Sequence, residues 1–224
     1  MKLTPEEIAW VSDTLNLYDI KYQEIYDELK DHMLTAIERL RAGGDDRAVN
    51  LLWTDVLKQQ FPGWWPFEDI VKQYQGAYQK KIKRAMWANF KHALNIETLP
   101  LLMILLVLAY YLPQSKPVTI VFAITFLMVS IIPVLYIWFK GRAIKTEKPK
   151  RSMVKDRVGN VSTYLMVIFN LLFNLVGMLS REWKAASFLN PAKYPPVVFV
   201  VILFFAFIYA LSCIKLSRDE FKIA

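Results

Sequence analysis

The sequence predicts an all-α protein: a small cytoplasmic helical domain at the N-terminus, followed by a four-helix transmembrane bundle. Three observations carry that reading. Apolar residues make up 55% of the 224 and charged residues only 21%, so mean hydropathy is positive although the formal net charge is +8. The charge is unevenly divided: residues 1–78 hold eight Lys/Arg against fourteen Asp/Glu, a net −6, and the rest of the chain is +14. That basic excess alternates with four long apolar runs, the pattern of loops retained on the cytoplasmic side of a membrane. The same composition excludes other classes. Disordered chains lack this apolar mass, and a single cysteine, Cys213, leaves no disulfide framework and no thiolate-built zinc or iron–sulfur site.

The first helix is announced by Thr4-Pro5-Glu6-Glu7, an N-cap threonine, proline at the first helical position and glutamate at the capping-box position. Ile8, Val11 and Leu15 follow on one face. A second helix over residues 21–41 places Tyr22, Ile25, Leu29, Met33, Ile37 and Leu40 at intervals of three and four, a narrow apolar stripe with Asp27, Glu28, Lys30 and Asp31 off it. Gly43-Gly44 stops it. Asp45 or Asp46 is the expected cap of a third helix carrying Ala48, Val49, Leu52, Val56 and Leu57. The run Phe61-Pro62-Gly63-Trp64-Trp65-Pro66 breaks the chain. A fourth helix starts near Pro66 and carries Ile70, Tyr74, Ala77 and Tyr78 into a basic juxtamembrane helix, residues 79–92, nearly continuous with the first span. The cytoplasmic domain is therefore expected over residues 1–78.

Four runs approach the ~20 residues needed to cross the hydrocarbon core: about residues 93–112, 118–139, 161–179 and 197–214, with a tail over 215–224. Asn95, Glu97 and Thr98 shorten the first, so a short re-entrant helix is its alternative. Lys80, Lys81, Lys83, Arg84 and Lys91 precede the first span. Eight basic residues (Lys140, Arg142, Lys145, Lys148, Lys150, Arg151, Lys155, Arg157) lie between the second and third. The opposite loops hold Lys116, then Arg181, Lys184 and Lys193 with Glu182. The positive-inside rule puts the head, the 140–158 loop and the tail in the cytoplasm. Aromatics agree, with Trp87, Tyr136, Trp138 and Tyr164 near the inner interface and Tyr110, Tyr111, Trp183 and Tyr194 near the outer one. The start, Met-Lys-Leu-Thr-Pro-Glu-Glu, has no n-region, h-region or cleavage site, so no removed signal peptide is expected.

Chemistry-bearing constellations are few. Glu24, Glu28 and His32 are spaced i, i+4, i+8, with Asp27 and Asp31 beside them. As an exposed acidic face they are the expected partner-binding surface rather than a metal site, since nothing matches HExxH or an EF-hand loop. The basic residues Lys80, Lys81, Lys83, Arg84 and Lys91 are expected on lipid headgroups, each contributing about 1 kcal/mol near an anionic surface. Within the third span Thr163, Asn170 and Asn174, with Gly177, share one face. Polar packing between helices is their expected role, with a solute path as the alternative. Pro133 is expected to bend the second span, and Glu97 to lie at the inner interface. The two histidines, His32 and His92, leave Cys213 without a base, and no glycine-rich loop is present to cradle phosphate. The expected protein is not an enzyme and uses no metal or cofactor. The basic excess lies in the apolar half, so no nucleic acid is expected as partner.

One stretch resembles a known family. The run Tyr26-Asp27-Glu28-Leu29-Lys30-Asp31-His32-Met33, then Ile37-Glu38, Gly43-Gly44, Ala48, and Phe61, Gly63, Pro66 and Ile70 resembles the HAAS domain over roughly residues 20–75. The chain departs from that pattern at Pro62, Trp64 and Trp65, which lengthen the Gly-to-Pro turn. The resemblance implies a small all-helical signalling module of bacterial membrane proteins, linked by gene context to transcription regulators such as PadR-like repressors. Joined to the four spans and the orientation that the apolar runs and basic loops give, with both termini cytoplasmic, it makes a multi-pass regulatory protein of the bacterial inner membrane the expected reading. Its expected partners are membrane lipids and a cytoplasmic protein, and homo-oligomerisation is left open. A transport-related membrane subunit with the head as a regulatory prefix is the alternative.

Overall fold

The computed structural model describes residues 3–61, 67–95, 98–147, 149–179 and 195–222, without the side chains of 116 and 169–179. The described chain is all-helical. It divides into two compact units, Met1–Lys80 with Lys145–Met153, and Lys81–Ile144 with Val154–Ala224. The chain thus passes between the units at residues 80/81, 144/145 and 153/154.

In the first unit, α1 (Pro5–Asn16) starts as its cap residues require. Glu7 N–H donates to Thr4 Oγ1 (3.3 Å) and Thr4 N–H to the Glu7 carboxylate (2.9 Å). Glu7 also receives Arg41 from the end of α2 at 2.6 Å, both side chains at least four-fifths shielded. α2 (Gln23–Ala42) ends at Gly43, and Gly44 takes φ +87°, a conformation that costs glycine little. α3 (Val49–Gln60) is capped by Ala48 with no side-chain bond. The expected Asp45 cap fails because its carboxylate is committed to Arg47, accepting from the backbone N–H and bidentately from the guanidinium. That pairing pushes Asp45 down to about 2. The core joins Val11 and Leu15 of α1, Ile25, Leu29, Met33 and Ile37 of α2, and Leu52 and Val56 of α3. Phe67 packs edge-on against Tyr18 (4.8 Å), Phe61 (5.0 Å) and Trp53 (6.3 Å), closing the core beside the start of α4 (Glu68–Ala93).

In the second unit the expected first span is not one run. α4 ends at Ala93 and α5 covers Thr98–Tyr110, with a 67° bend between them. The side chains explain the new start: Thr98 N–H donates to Asn95 Oδ1 (3.1 Å), and the Thr98 hydroxyl reaches the carbonyl of Ala93 (3.0 Å). Thirteen residues rise only about 20 Å, short of the ~30 Å core. α6 (Lys116–Gly141) continues through a buried Pro133. α7 (Met153–Leu179) begins eight residues before the expected third span, and α8 (Pro196–Glu220) runs six past the expected end of the fourth. Among the described residues, two helices are long and apolar enough to cross a membrane, Pro117–Gly141 and Pro196–Glu220, or three if α4 and α5 form one bent span.

α8 is central to this unit. It packs on α5 and α6, and its Ala206 and Ala210 meet Phe126 of α6 and Leu165 of α7, small residues that admit close approach. Tyr209 donates its hydroxyl to the carbonyl of Val161 on α7 at 2.8 Å. Ser130 and Ser212 satisfy their hydroxyls on carbonyls one turn back in their own helices, as apolar surroundings demand. Facing outward are Met103, Ile104, Val107, Val121, Ile124 and Met128, all more than half exposed. Exposed apolar side chains of this kind suit lipid better than water.

Candidate functional site

The five residues expected on the partner-facing side of α2 separate into two groups. Asp27, Glu28, Asp31 and His32 are exposed, while Glu24 is half-buried and engaged within its own unit.

Glu24 holds the segment Lys145–Met153. One carboxylate oxygen accepts the Ser152 hydroxyl at 2.6 Å and the other accepts the Met153 N–H at 2.8 Å. A carboxylate on the first amide of a helix, here α7, is favoured by the unpaired N–H groups there. Upstream of that contact Arg151 runs beside the entry to α2. Arg151 N–H donates to the Lys21 carbonyl and Gln23 N–H donates to the Arg151 carbonyl, both at 2.9 Å, a one-residue parallel bridge between Tyr22 and Arg151. The Lys150 ammonium donates to Asn16 Oδ1 at 2.7 Å and sits 3.8 Å from the centre of the Tyr26 ring. Glu147 N–H donates to Gln23 Oε1 at 3.3 Å. Tyr26 in turn donates its hydroxyl to the Ser12 carbonyl (3.1 Å), and burial, countered in part by that bond, pushes its phenol pKa up. Ser152 and Met153 are buried, Met153 in the core of the unit.

On the other flank, Glu28 and His32 line a groove of about 380 Å³ with Leu29, Phe61, Ile70 and Tyr74. His32 Nε2 lies 2.8 Å from Gln60 Oε1, and its ring stands edge-on to Phe61 at 5.7 Å. Tyr74 donates to Glu28 at 3.5 Å, and partial burial beside that carboxylate pushes its phenol pKa up. Asp27 accepts from Gln23 Nε2 at 2.9 Å. Among the described residues no three His, Cys, Asp or Glu side chains converge as metal ligands would.

The basic residues are exposed at Lys80, Lys81, Lys83, Arg84 and Lys91, but they are not equivalent. Lys81 pairs with Glu220 near the end of α8 at 3.0 Å, a carboxylate only one-tenth exposed, so its charge is spent inside the unit. Lys91 lies 5.4 Å from the Trp87 ring, which stacks on Phe90. Arg142 lies 3.5 Å from the Trp138 ring beside Phe139. Both are cation–aromatic pairs of the kind found at a headgroup layer. Thr163, expected to bridge helices, donates instead to the Asn160 carbonyl of its own helix at 2.9 Å and is exposed. The side chains of Asn170 and Asn174 lie outside the described residues, as do Glu97, Trp183 and Tyr194.

Sequence reasoning did not single out Asn16, Gln23, Tyr26 or Lys150 as a set. The one signal pointing there is the opposition of an acidic head to a loop with eight basic residues. Neither a protein-family model, a curated protein nor a solved structure matches the chain.

Proposed function

We propose that the chain is a multi-pass regulatory protein of a bacterial inner membrane. Four spans hold both termini in the cytoplasm, and the HAAS-like helical head offers α2 to a cytoplasmic protein partner, itself part of a transcription-regulating pathway. The observation that carries this reading is the exposed row Asp27, Glu28, Asp31 and His32 beside an apolar groove, on a unit joined to apolar helices. A basic partner surface complements that row, with Leu29, Phe61 and Ile70 supplying apolar contact and the carboxylates fixing orientation. Lys80, Lys83, Arg84 and Lys91 meet anionic headgroups.

Two measurements test the reading. Topology reporters after Gln114 and Ser187 are expected outside and one after Thr146 inside. A translocated reporter at Thr146 refutes the orientation. Reversing charge with Asp27→Lys and Asp31→Lys in the full chain is expected to abolish capture of its protein partners while leaving helicity and membrane insertion unchanged. An unchanged set of captured proteins refutes α2 as the partner-facing surface.

A further inference from the structure

We propose that anionic lipid headgroups compete with the head for the segment Lys145–Met153, so that the lipid composition of the inner leaflet sets how tightly the head holds it. Of its described cations, Lys145, Lys150 and Arg151, none forms an ion pair with the head. Lys150 is bound through an amide oxygen and an aromatic face, not a carboxylate. Arg151 contributes only its backbone. The guanidinium of Arg151 and the ammonium of Lys145 are exposed, with no ion pair among the described residues. Two carboxylates belong to the contact: Glu24, which accepts from a hydroxyl and an amide, and Glu147, within the segment itself, whose N–H meets Gln23. The segment is thus docked by hydrogen bonds while the cations of Lys145 and Arg151 stay exposed.

The second step is reach. Lys145 lies three residues beyond Arg142, which packs on Trp138 and Phe139 at the end of α6. Three residues span at most ~11 Å, comparable to the ~8 Å over which charge acts at physiological salt. A cationic segment tethered that closely to a span end is attracted to an anionic leaflet by about 1 kcal/mol per basic residue. Hydrogen bonds to Glu24, Lys21 and Gln23 each contribute a comparable amount, so headgroup attraction offsets part of what holds the segment. The inference uses the cytoplasmic placement of residue 146 from the proposed topology.

The experiment is amide hydrogen exchange on the full chain in lipid nanodiscs, either phosphatidylcholine alone or phosphatidylcholine with phosphatidylglycerol. The amides of Gln23, Arg151 and Met153 report the contact, and that of Met33 reports the core. Exchange at the first three is expected to be up to roughly thirtyfold faster in the anionic discs, as attraction of two cations gives, with Met33 unchanged. The difference is expected to vanish at ~1 M salt. Equal exchange in the two lipids overturns the proposal. The double variant Lys145→Gln and Arg151→Gln leaves every bond to the head in place and is expected to keep protection while losing the lipid response; a retained response also overturns it. An outside reporter at Thr146 would instead fault the topology, so the two failures are distinguishable.

Discussion

In the first unit Val11, Leu15, Met33, Ile37 and Leu52 lose all contact with solvent, whereas in the second Met103, Val121 and Met128 remain about three-fifths exposed. The residue types are alike, although α6, α7 and α8, of 26, 27 and 25 residues, are longer than α1, α2 and α3, of 12, 20 and 12. What differs is the medium each exterior meets. The head shields its apolar stripes with Asp, Glu, Lys and Arg, as an exterior in water requires. The second unit needs no such shield if hydrocarbon surrounds it, and spends its interior on small residues and self-satisfied hydroxyls instead.

The largest test of that contrast is Leu52→Ala in the head. It removes a fully buried side chain and is expected to destabilise the first unit by about 2–5 kcal/mol. Val107→Ala, at an exposed site, is expected within about 0.5 kcal/mol. Chemical unfolding of the full chain in micelles compares them, and equal losses would remove the distinction between the two exteriors.

Next comes Met128→Arg, near the middle of Pro117–Gly141 and 57% exposed. At the centre of a span an arginine costs about 2.5–3.5 kcal/mol of insertion, whereas on a water-facing helix it is harmless. Membrane fractionation is expected to show impaired insertion, and normal insertion would mean that this face does not meet lipid.

The smallest effect sharpens the description of the head. Glu7→Gln removes the Arg41 ion pair and weakens the capping box, at an expected cost of about 1 kcal/mol. The Thr4 amide, and then Arg41, hold the Glu7 carboxyl below its usual 4.5. Its contribution is therefore complete above that unfolded value and is lost as pH falls through the lower folded one. The wild-type head is expected to lose stability on acidification through that window, and Glu7→Gln to lose less. Parallel pH profiles would contradict the assignment.

Helix order in the head was legible because each signal is local. Thr4-Pro5 and Glu7 fix a start, Gly43-Gly44 fix a stop, and the Leu29, Met33 and Ile37 stripe fixes a buried face. The break before Thr98 was half legible: the polar residues were visible, but not that Asn95 and Thr98 would pair to restart the helix. The acidic face read correctly as exposed at Asp27, Glu28 and Asp31. Glu24 did not, since its partners lie 128 and 129 residues away and no periodicity encodes a contact at that distance.

By itself, then, the sequence determined what solvent and local geometry dictate: helical periodicity, caps, an acidic N-terminal region and apolar runs separated by basic loops. Those follow from residues within a few turns of one another. Only the tertiary structure decided that Lys145–Met153 belongs to the first unit, that Lys81 is spent on Glu220 and that α8 is the central helix of the second. Each of these is a choice among partners of equal local suitability, since a lysine can meet a headgroup or a carboxylate. Which it meets depends on what the rest of the chain brings within about 3 Å of it.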